Sequence, residues 1–247
     1  MADSSAESGH LTANLRLAVG DMRIVHPVTV PKQAVAAAEI VPALQGIVNA
    51  VVASAEAGKT ISCRKGCGAC CRQLVPISRT EGEALLALVE AMPKDRRRSL
   101  SERFAAANEA LTKAGLRDRL LDPGQRTGWT DRDLSTAYFA LGIACPFLEE
   151  ESCSVHADRP LVCREYLVTS PAALCAGATQ EGVTPVPVPK TSLAARGLDE
   201  DRAEVDTSAR WFPLALLLEW NKERPRRTPA RRPGPEWIER FLKRMGR

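Results

Sequence analysis

The chain has 247 residues, 45% of them hydrophobic, 26% charged and only 4% aromatic, with a formal net charge of +4. That is enough apolar material for a buried core, but a core built from Ala, Leu and Val argues against an aromatic β-sandwich and for close-packed helices. The charge is local: Lys222 to Arg247 carries ten Lys or Arg against three Glu, a net +7, which leaves the rest of the chain at −3.

Met1 to Val30 shows no sustained periodicity and reads as a flexible N-terminal arm. Its Ser-rich start, with Asp3 and Glu7, lacks the basic and apolar runs of a secretory signal, so a cytoplasmic location is expected. From Pro31 to Ala57 the residues Val35, Ile40, Val41, Leu44, Ile47, Val48, Val51 and Val52 have helical spacing, with a kink or a split expected at Pro42 and an end at Gly58. After a first group of cysteines, Ser78 or Thr80 caps a helix whose apolar face is Leu85, Leu86, Leu88, Val89 and Met92. A further helix, Lys94 to Ala114, begins with a solvated basic run, buries Leu100, Phe104, Ala107 and Leu111, and closes at Gly115.

Leu121 to Gln125 is a turn signal, and Asp131 to Leu141 reads as a short helix. Gly182 to Asp206, with Pro185, Pro187 and Pro189, reads as a long loop, and a helix from Asp206 or Ser208 to Glu223 follows. The apolar run Trp211 to Leu218 falls far short of the about 20 residues that cross a bilayer, so no transmembrane segment is expected. Past a basic linker, Pro235 to Arg247 places Trp237, Ile238, Phe241, Leu242 and Met245 on one helical face; docking on the domain is the simpler use of that face, and binding a nucleic acid or an acidic protein is the other. The expected division is an arm over 1–30, a cysteine-cluster domain over 31–223 with its core at 63–175, and a basic tail over 224–247. No glycine-rich phosphate loop or internal repeat is visible.

Eight cysteines set the chemistry: Cys63, Cys67, Cys70 and Cys71, then Cys145, Cys153, Cys163 and Cys175. In a reducing compartment, and in a chain too long to need stapling, such clustering points to metal rather than to disulfides, and thiolates select zinc or iron over magnesium or calcium. Cys67-Gly68-Ala69-Cys70 is a C-x2-C knuckle in which Gly66 and Gly68 supply permissive backbone angles. Arg64, Lys65 and Arg72 flank it with positive charge, which lowers thiol pKa. Adjacent Cys70 and Cys71 do not easily point at one mononuclear centre, so two centres or one multinuclear cluster are both open. The predicted fold is mainly α, a helical shell around an irregular, cysteine-rich metal-binding centre.

The blocks CRKGCGACC at Cys63 to Cys71 and CPFLEEESCSVHADRPLVCREY at Cys145 to Tyr166, with the later Cys175, resemble the YkgJ-type cysteine-cluster family, the zinc- or iron-chelating CxxCxxCC domain. The resemblance implies a metal site whose occupant is zinc, iron or an iron–sulfur cluster, and draws Cys175 into the ligand set. His156 stands where the family pattern more often has an aromatic, which argues against it as a ligand and for a packing role. Arg159 and Arg164 offset thiolate charge, bind an anionic partner or make ordinary ion pairs, and Tyr166 has no visible partner. The leading function is a cytoplasmic zinc- or iron-binding protein. Two others stand beside it: an iron–sulfur-dependent enzyme resembling flagellin lysine N-methylase, and an adaptor acting through the basic tail. Glu149, Glu150 and Glu151 form an acidic loop with no visible acid–base partner.

Overall fold

A computed structural model describes residues 9–64, 66–177, 181–200, 210–224 and 228–245. The fold is mainly α, about 52% helical. The loose arm expected over the first thirty residues is not what forms: strands β1 (His10–Val19) and β2 (Met22–Pro31) make an antiparallel hairpin closed at Val19 and Met22. Its signal is a period of two rather than 3.6. Ile24, Val28 and Val30 alternate along one face and are buried, while Val25, between them, is 65% exposed.

The next stretch also departs from a helix that begins at Pro31. Residues Ala34–Ala36 form strand β3, a 3-10 turn follows at Ala37–Ile40, and helix α1 runs from Val41 to Glu56. Pro42 sits in the first turn of α1, where its missing N–H has no partner to lose, so it starts the helix instead of bending it. The segment Ala37–Glu56 is long and apolar enough to cross a membrane by length and composition. Here it is the spine of the core: Leu44, Ile47, Val48 and Val51 are 0% exposed.

After the short strand β4 (Pro76–Ile77), helix α2 (Arg79–Glu90) is capped by Ser78, whose side chain accepts from the Glu81 N–H while the Glu81 carboxylate reaches back to the Ser78 N–H. Helix α3 (Lys94–Lys113) follows as the sequence predicts, burying Leu100, Phe104, Ala107 and Leu111; a short helix that the sequence does not predict, α4 (Arg117–Leu121), lies between it and the predicted α5 (Asp131–Ala140). A small hairpin, β5 (Leu148–Glu149) with β6 (Ser152–Cys153), precedes the one-turn helix α6 (Leu161–Glu165). The proposed starts at Asp206 and Ser208 lie outside the described residues; strand β7 (Phe212–Pro213) pairs with β4, and helix α7 covers Leu217–Glu223.

The tail turns back on the domain. Strand β8 (Arg231–Pro233) pairs with β3, and helix α8 (Gly234–Met245) lays Trp237, Ile238 and Phe241 into the core formed by β2 and α1. A Cβ on Gly234 would stand 2.5 Å from the Pro31 carbonyl oxygen, so only glycine lets the helix start this close to β2. The amphipathic face of the tail is thus used within the fold, and its cations are engaged too, Lys243 with Glu239 and Arg240 with the Glu200 carbonyl. Two further apolar clusters complete the interior, one joining α2, α3 and α7 around Phe104, Phe147 and Phe212, the other joining α3, α4 and α5 around Leu111, Leu134 and Tyr138.

Trp237 is 0% exposed and its indole N–H donates to the Val35 carbonyl at 2.9 Å. Trp237→Ala is expected to lower stability by about 3–5 kcal/mol, the range for removing a large buried aromatic, read as a shift in the urea unfolding midpoint.

Candidate metal centre

The first cysteine segment is a tight turn followed by a 3-10 helix at Ala69–Arg72. The Cys67 N–H donates to the Arg64 carbonyl at 3.0 Å, the Cys71 N–H to Gly68 at 2.9 Å and the Gln73 N–H to Cys70 at 3.1 Å. Gly66 has φ of +88°, as a knuckle glycine should, but Gly68 has φ of −98°. Gly68 is needed for space: a Cβ there would lie 2.7 Å from both the Glu151 carbonyl oxygen and a Leu148 methyl.

That contact belongs to the second segment. Cys145 donates its N–H to the Cys71 carbonyl at 2.7 Å, which ties the two cysteine stretches together through backbone alone. The chain then turns at Cys145 to Leu148 and enters the β5–β6 hairpin, whose two apical residues, Glu150 and Glu151, have φ of 48° and 55°. A two-residue hairpin turn asks for positive φ, a conformation that costs a non-glycine residue about 1–2 kcal/mol. Cations from elsewhere brace this turn. The Arg72 guanidinium holds the Glu151 carboxylate with two bonds, of 3.0 and 2.6 Å, and Arg103 holds Glu149 at 2.7 Å and the Leu148 carbonyl at 3.2 Å. Both carboxyls are held below the usual range by these partners. The acidic loop therefore does have partners, and they are structural.

Cys63, Cys67, Cys70, Cys71, Cys145, Cys153 and Cys163 all line one cavity of about 660 Å³. Its other walls mix apolar residues, among them Ala53, Ile61, Phe147, Val155 and Leu214, with the charged or polar Glu56, Lys59, Arg64, His156 and Arg159. Cys63 packs against the α1 core, Cys145 and Cys153 against the α2–α3 core, so the cavity lies where these two clusters meet. Cys175 is the exception. It is 3% exposed and is not part of the lining; it sits behind Tyr166, whose hydroxyl is 3.9 Å from its sulfur, and its carbonyl accepts from the Gln73 side chain at 3.2 Å. Tyr166, which has no visible role in the sequence, is thus the residue between Cys175 and the cavity.

Burial pushes these thiols toward the protonated form: Cys145 to about 12, Cys163 well up, and Cys63, Cys153 and Cys175 upward. Cys70 is raised first by its hydrogen bond with Cys71 and then by burial. After desolvation, the thiols raise one another: Cys70 acts on Cys63, Cys145, Cys153, Cys163 and Cys175, from both segments. The opposing charge that reaches most of them is Arg159, which lowers Cys63, Cys70, Cys153 and Cys163 and lines the same cavity, while Arg103 lowers Cys145 and Arg164 adds to the effect on Cys153. Its Nη1 approaches His156 Nε2 at 2.5 Å, and its buried Nε has no hydrogen-bond partner. Arg164 serves the frame instead, donating to Asn49 Oδ1 and the Arg159 carbonyl, each at 2.9 Å, and to Ala157. Lys65 lies outside the described residues.

All eight cysteines are free thiols. Among the described residues no three His, Cys, Asp or Glu side chains are already drawn together into a set that could hold a metal. What fits zinc or iron is the donor chemistry: seven soft sulfur donors facing one shielded space with a resident cation, where hard oxygen donors are nearly absent. The Val168 N–H, 3.4 Å from the Cys63 sulfur, is the weak N–H to sulfur donor that such sites use.

Gly68→Ala is expected to cost about 1–3 kcal/mol by forcing the β5–β6 hairpin off the knuckle. Arg72→Ala, which removes an exposed ion pair to the same hairpin, should cost under about 1 kcal/mol. Urea unfolding of the metal-free chain ranks the two.

No curated protein and no solved structure matches the chain. A family model, CxxCxxCC, "Putative zinc- or iron-chelating domain", matches residues 62–184, the stretch that contains all eight cysteines. With that match resting on the residues that line the cavity, the chain belongs to the CxxCxxCC family.

Proposed function

We propose that the protein binds zinc or iron through thiolates of both cysteine segments, in the cavity that they share. The observation that carries this reading is the convergence of Cys63, Cys67, Cys70 and Cys71 with Cys145, Cys153 and Cys163 on one cavity. Cys175, close enough to Cys63, Cys67 and Cys70 for their charge to raise it, completes the proposed ligand set. Seven or eight thiolates exceed the four of one tetrahedral site, so the reading is of two metals or one multinuclear cluster. Bound metal would cross-link the two segments, and its binding free energy would become folding free energy for the cavity walls. Arg159 supplies positive charge beside the thiolates, and Tyr166 and Phe147 limit water. The same reading places the protein in a reducing, cytoplasmic compartment, supported by eight cysteines that stand as free thiols.

The test is to purify the full chain without oxygen and measure zinc, iron and acid-labile sulfide per chain with the visible spectrum. Stoichiometric zinc without colour, or iron with matched sulfide and a brown chromophore, is the expected result. A folded protein that takes up neither metal, even after reduction and reconstitution, overturns the reading. Cys70→Ser should lower metal content more than Cys175→Ser, because Cys70 neighbours thiols of both segments.

A pH dependence follows with a definite sign. Burial raises the folded-state thiols above their ordinary value of 9.0, whereas unfolded thiols ionise near 8.5 or so. Above that value the unfolded chain binds fewer protons than the folded one, so metal-free stability is whole at pH 7 and falls as pH rises through about 9. Metal affinity runs the other way, climbing with pH because each ligand must lose a proton. Urea midpoints of the metal-free chain at pH 7 and pH 10, beside zinc titrations at pH 6 and pH 8, read both trends.

A further inference from the structure

Glu81 is a glutamate with 3% exposure, and the capping of α2 uses only one of its two oxygens. Oε2 accepts from the Ser78 N–H at 2.9 Å and the Ser78 hydroxyl at 2.7 Å. Oε1 accepts from the N–H of Leu161 at 2.9 Å, eighty residues away in the chain. Leu161 is the first residue of α6, and Cys163 is two residues on. One carboxylate therefore caps two helices, and the second is the turn that carries a cavity cysteine.

The rest of α6 is held as closely. Glu165, its last residue, accepts from Thr191 Oγ1 at 2.5 Å, from the Ser192 N–H at 2.6 Å and from the Ser192 hydroxyl at 2.7 Å. Arg164 ties the same turn to α1 through Asn49 and to the loop before it through the Ala157 and Arg159 carbonyls. Cys163 thus has a brace on either side in the chain, and of these only Glu81 reaches across from α2. Burying a carboxylate is costly, and the hydrogen bonds from Ser78 and Leu161, with the Arg196 charge behind them, offset only part of the cost. A site that needed nothing more than an α2 cap has no need to bury the acid, since an exposed capping box does the same work at Thr130 and Asp133.

We propose that Glu81 is a positioning residue of the thiol cavity, acting through the Leu161 N–H to fix Cys163. This rests on the metal-binding reading for its purpose, but the positioning itself is testable without metal. Three full-length proteins are compared: the wild type, Glu81→Gln and Ser78→Ala. Ser78→Ala weakens the α2 cap and leaves the Leu161 link; Glu81→Gln replaces the charge-assisted link with a neutral amide of the same shape.

The first readout is the labelling rate of each cysteine by iodoacetamide in the reduced, metal-free chain, resolved by peptide mass spectrometry. Loss of a buried charge-assisted hydrogen bond predicts a rise of about tenfold at Cys163 in Glu81→Gln, with Cys163 in Ser78→Ala staying within about twofold of wild type. The second is zinc affinity by competition with a chromophoric chelator, expected to weaken about tenfold in Glu81→Gln alone. Equal labelling of Cys163 in the two variants, or no change in either, overturns the positioning role and leaves Glu81 as a helix cap. A wild type that takes no metal overturns the metal-binding reading, and the labelling rates still decide the role of Glu81.

Discussion

The hydrogen bond from the Cys145 N–H to the Cys71 carbonyl is the point on which the centre of this molecule depends. It is a backbone bond, so it does not require any particular side chain, only that two distant stretches arrive in register. Everything around it arranges that arrival. The missing side chain at Gly68 lets the Glu151 carbonyl approach, Arg72 and Arg103 hold the carboxylates of the same hairpin, and Phe147 anchors the hairpin in the α2–α3 core, edge-on to Phe104. The strained pair Glu150 and Glu151 fits this account: the turn is kept because Glu151 and the preceding Glu149 have guanidinium partners, and a turn of Asn and Gly would be easier to form but would lack the Glu151 anchor.

The cavity sits at a seam between two apolar clusters. One is organised by α1 with the N-terminal hairpin and α8 against it, the other by α2, α3 and the 212–217 segment. Each contributes cysteines to the same space, so the seam is where closure of the fold and closure of the thiol set become one event. Wrapping of the C-terminal strand and helix onto β3 and β2 matters for the same reason, since it completes the cluster against which Cys63 packs.

Much of this was legible in the residues. The helical spacing of α2, α3 and α5, the Ser78 cap and the Gly115 stop all appear where a 3.6 period and capping chemistry put them. The hairpin at 10–31 is hard to read from sequence because its apolar residues alternate with a period of two, interrupted by His26 and Pro27, and so form no helical face. That Pro42 opens α1 is not legible locally, because the stretch before it is taken up by β3, whose partner β8 lies almost two hundred residues away. At the site, the cysteine clusters and their flanking arginines were visible. Invisible were the second use of Glu81, the link from Tyr166 to Cys175 and the bracing of the acidic loop, each a contact between segments far apart in sequence.

The electrostatics of the cavity explain why so much of the frame is polar. Thiols gathered this closely and shielded from water resist ionising, first through lost hydration and then through one another. A metal cation would reverse both effects at once, and much of the frame around the thiols is made of bonds that do not involve sulfur: the Cys145 N–H on the Cys71 carbonyl, the Leu161 N–H on Glu81 and Arg164 on backbone carbonyls. The two arginines of the motif divide the labour accordingly. Arg164 is consumed by backbone carbonyls and Asn49 and cannot turn toward the thiols without breaking the frame. Arg159 keeps a buried Nε without a hydrogen-bond partner and a side chain against the cavity, and its charge acts on Cys63, Cys70, Cys153 and Cys163. A frame held by Arg164, with the Arg159 charge beside the thiols, suits the proposed passage of those thiols from protonated to metal-bound without moving the helices that carry them.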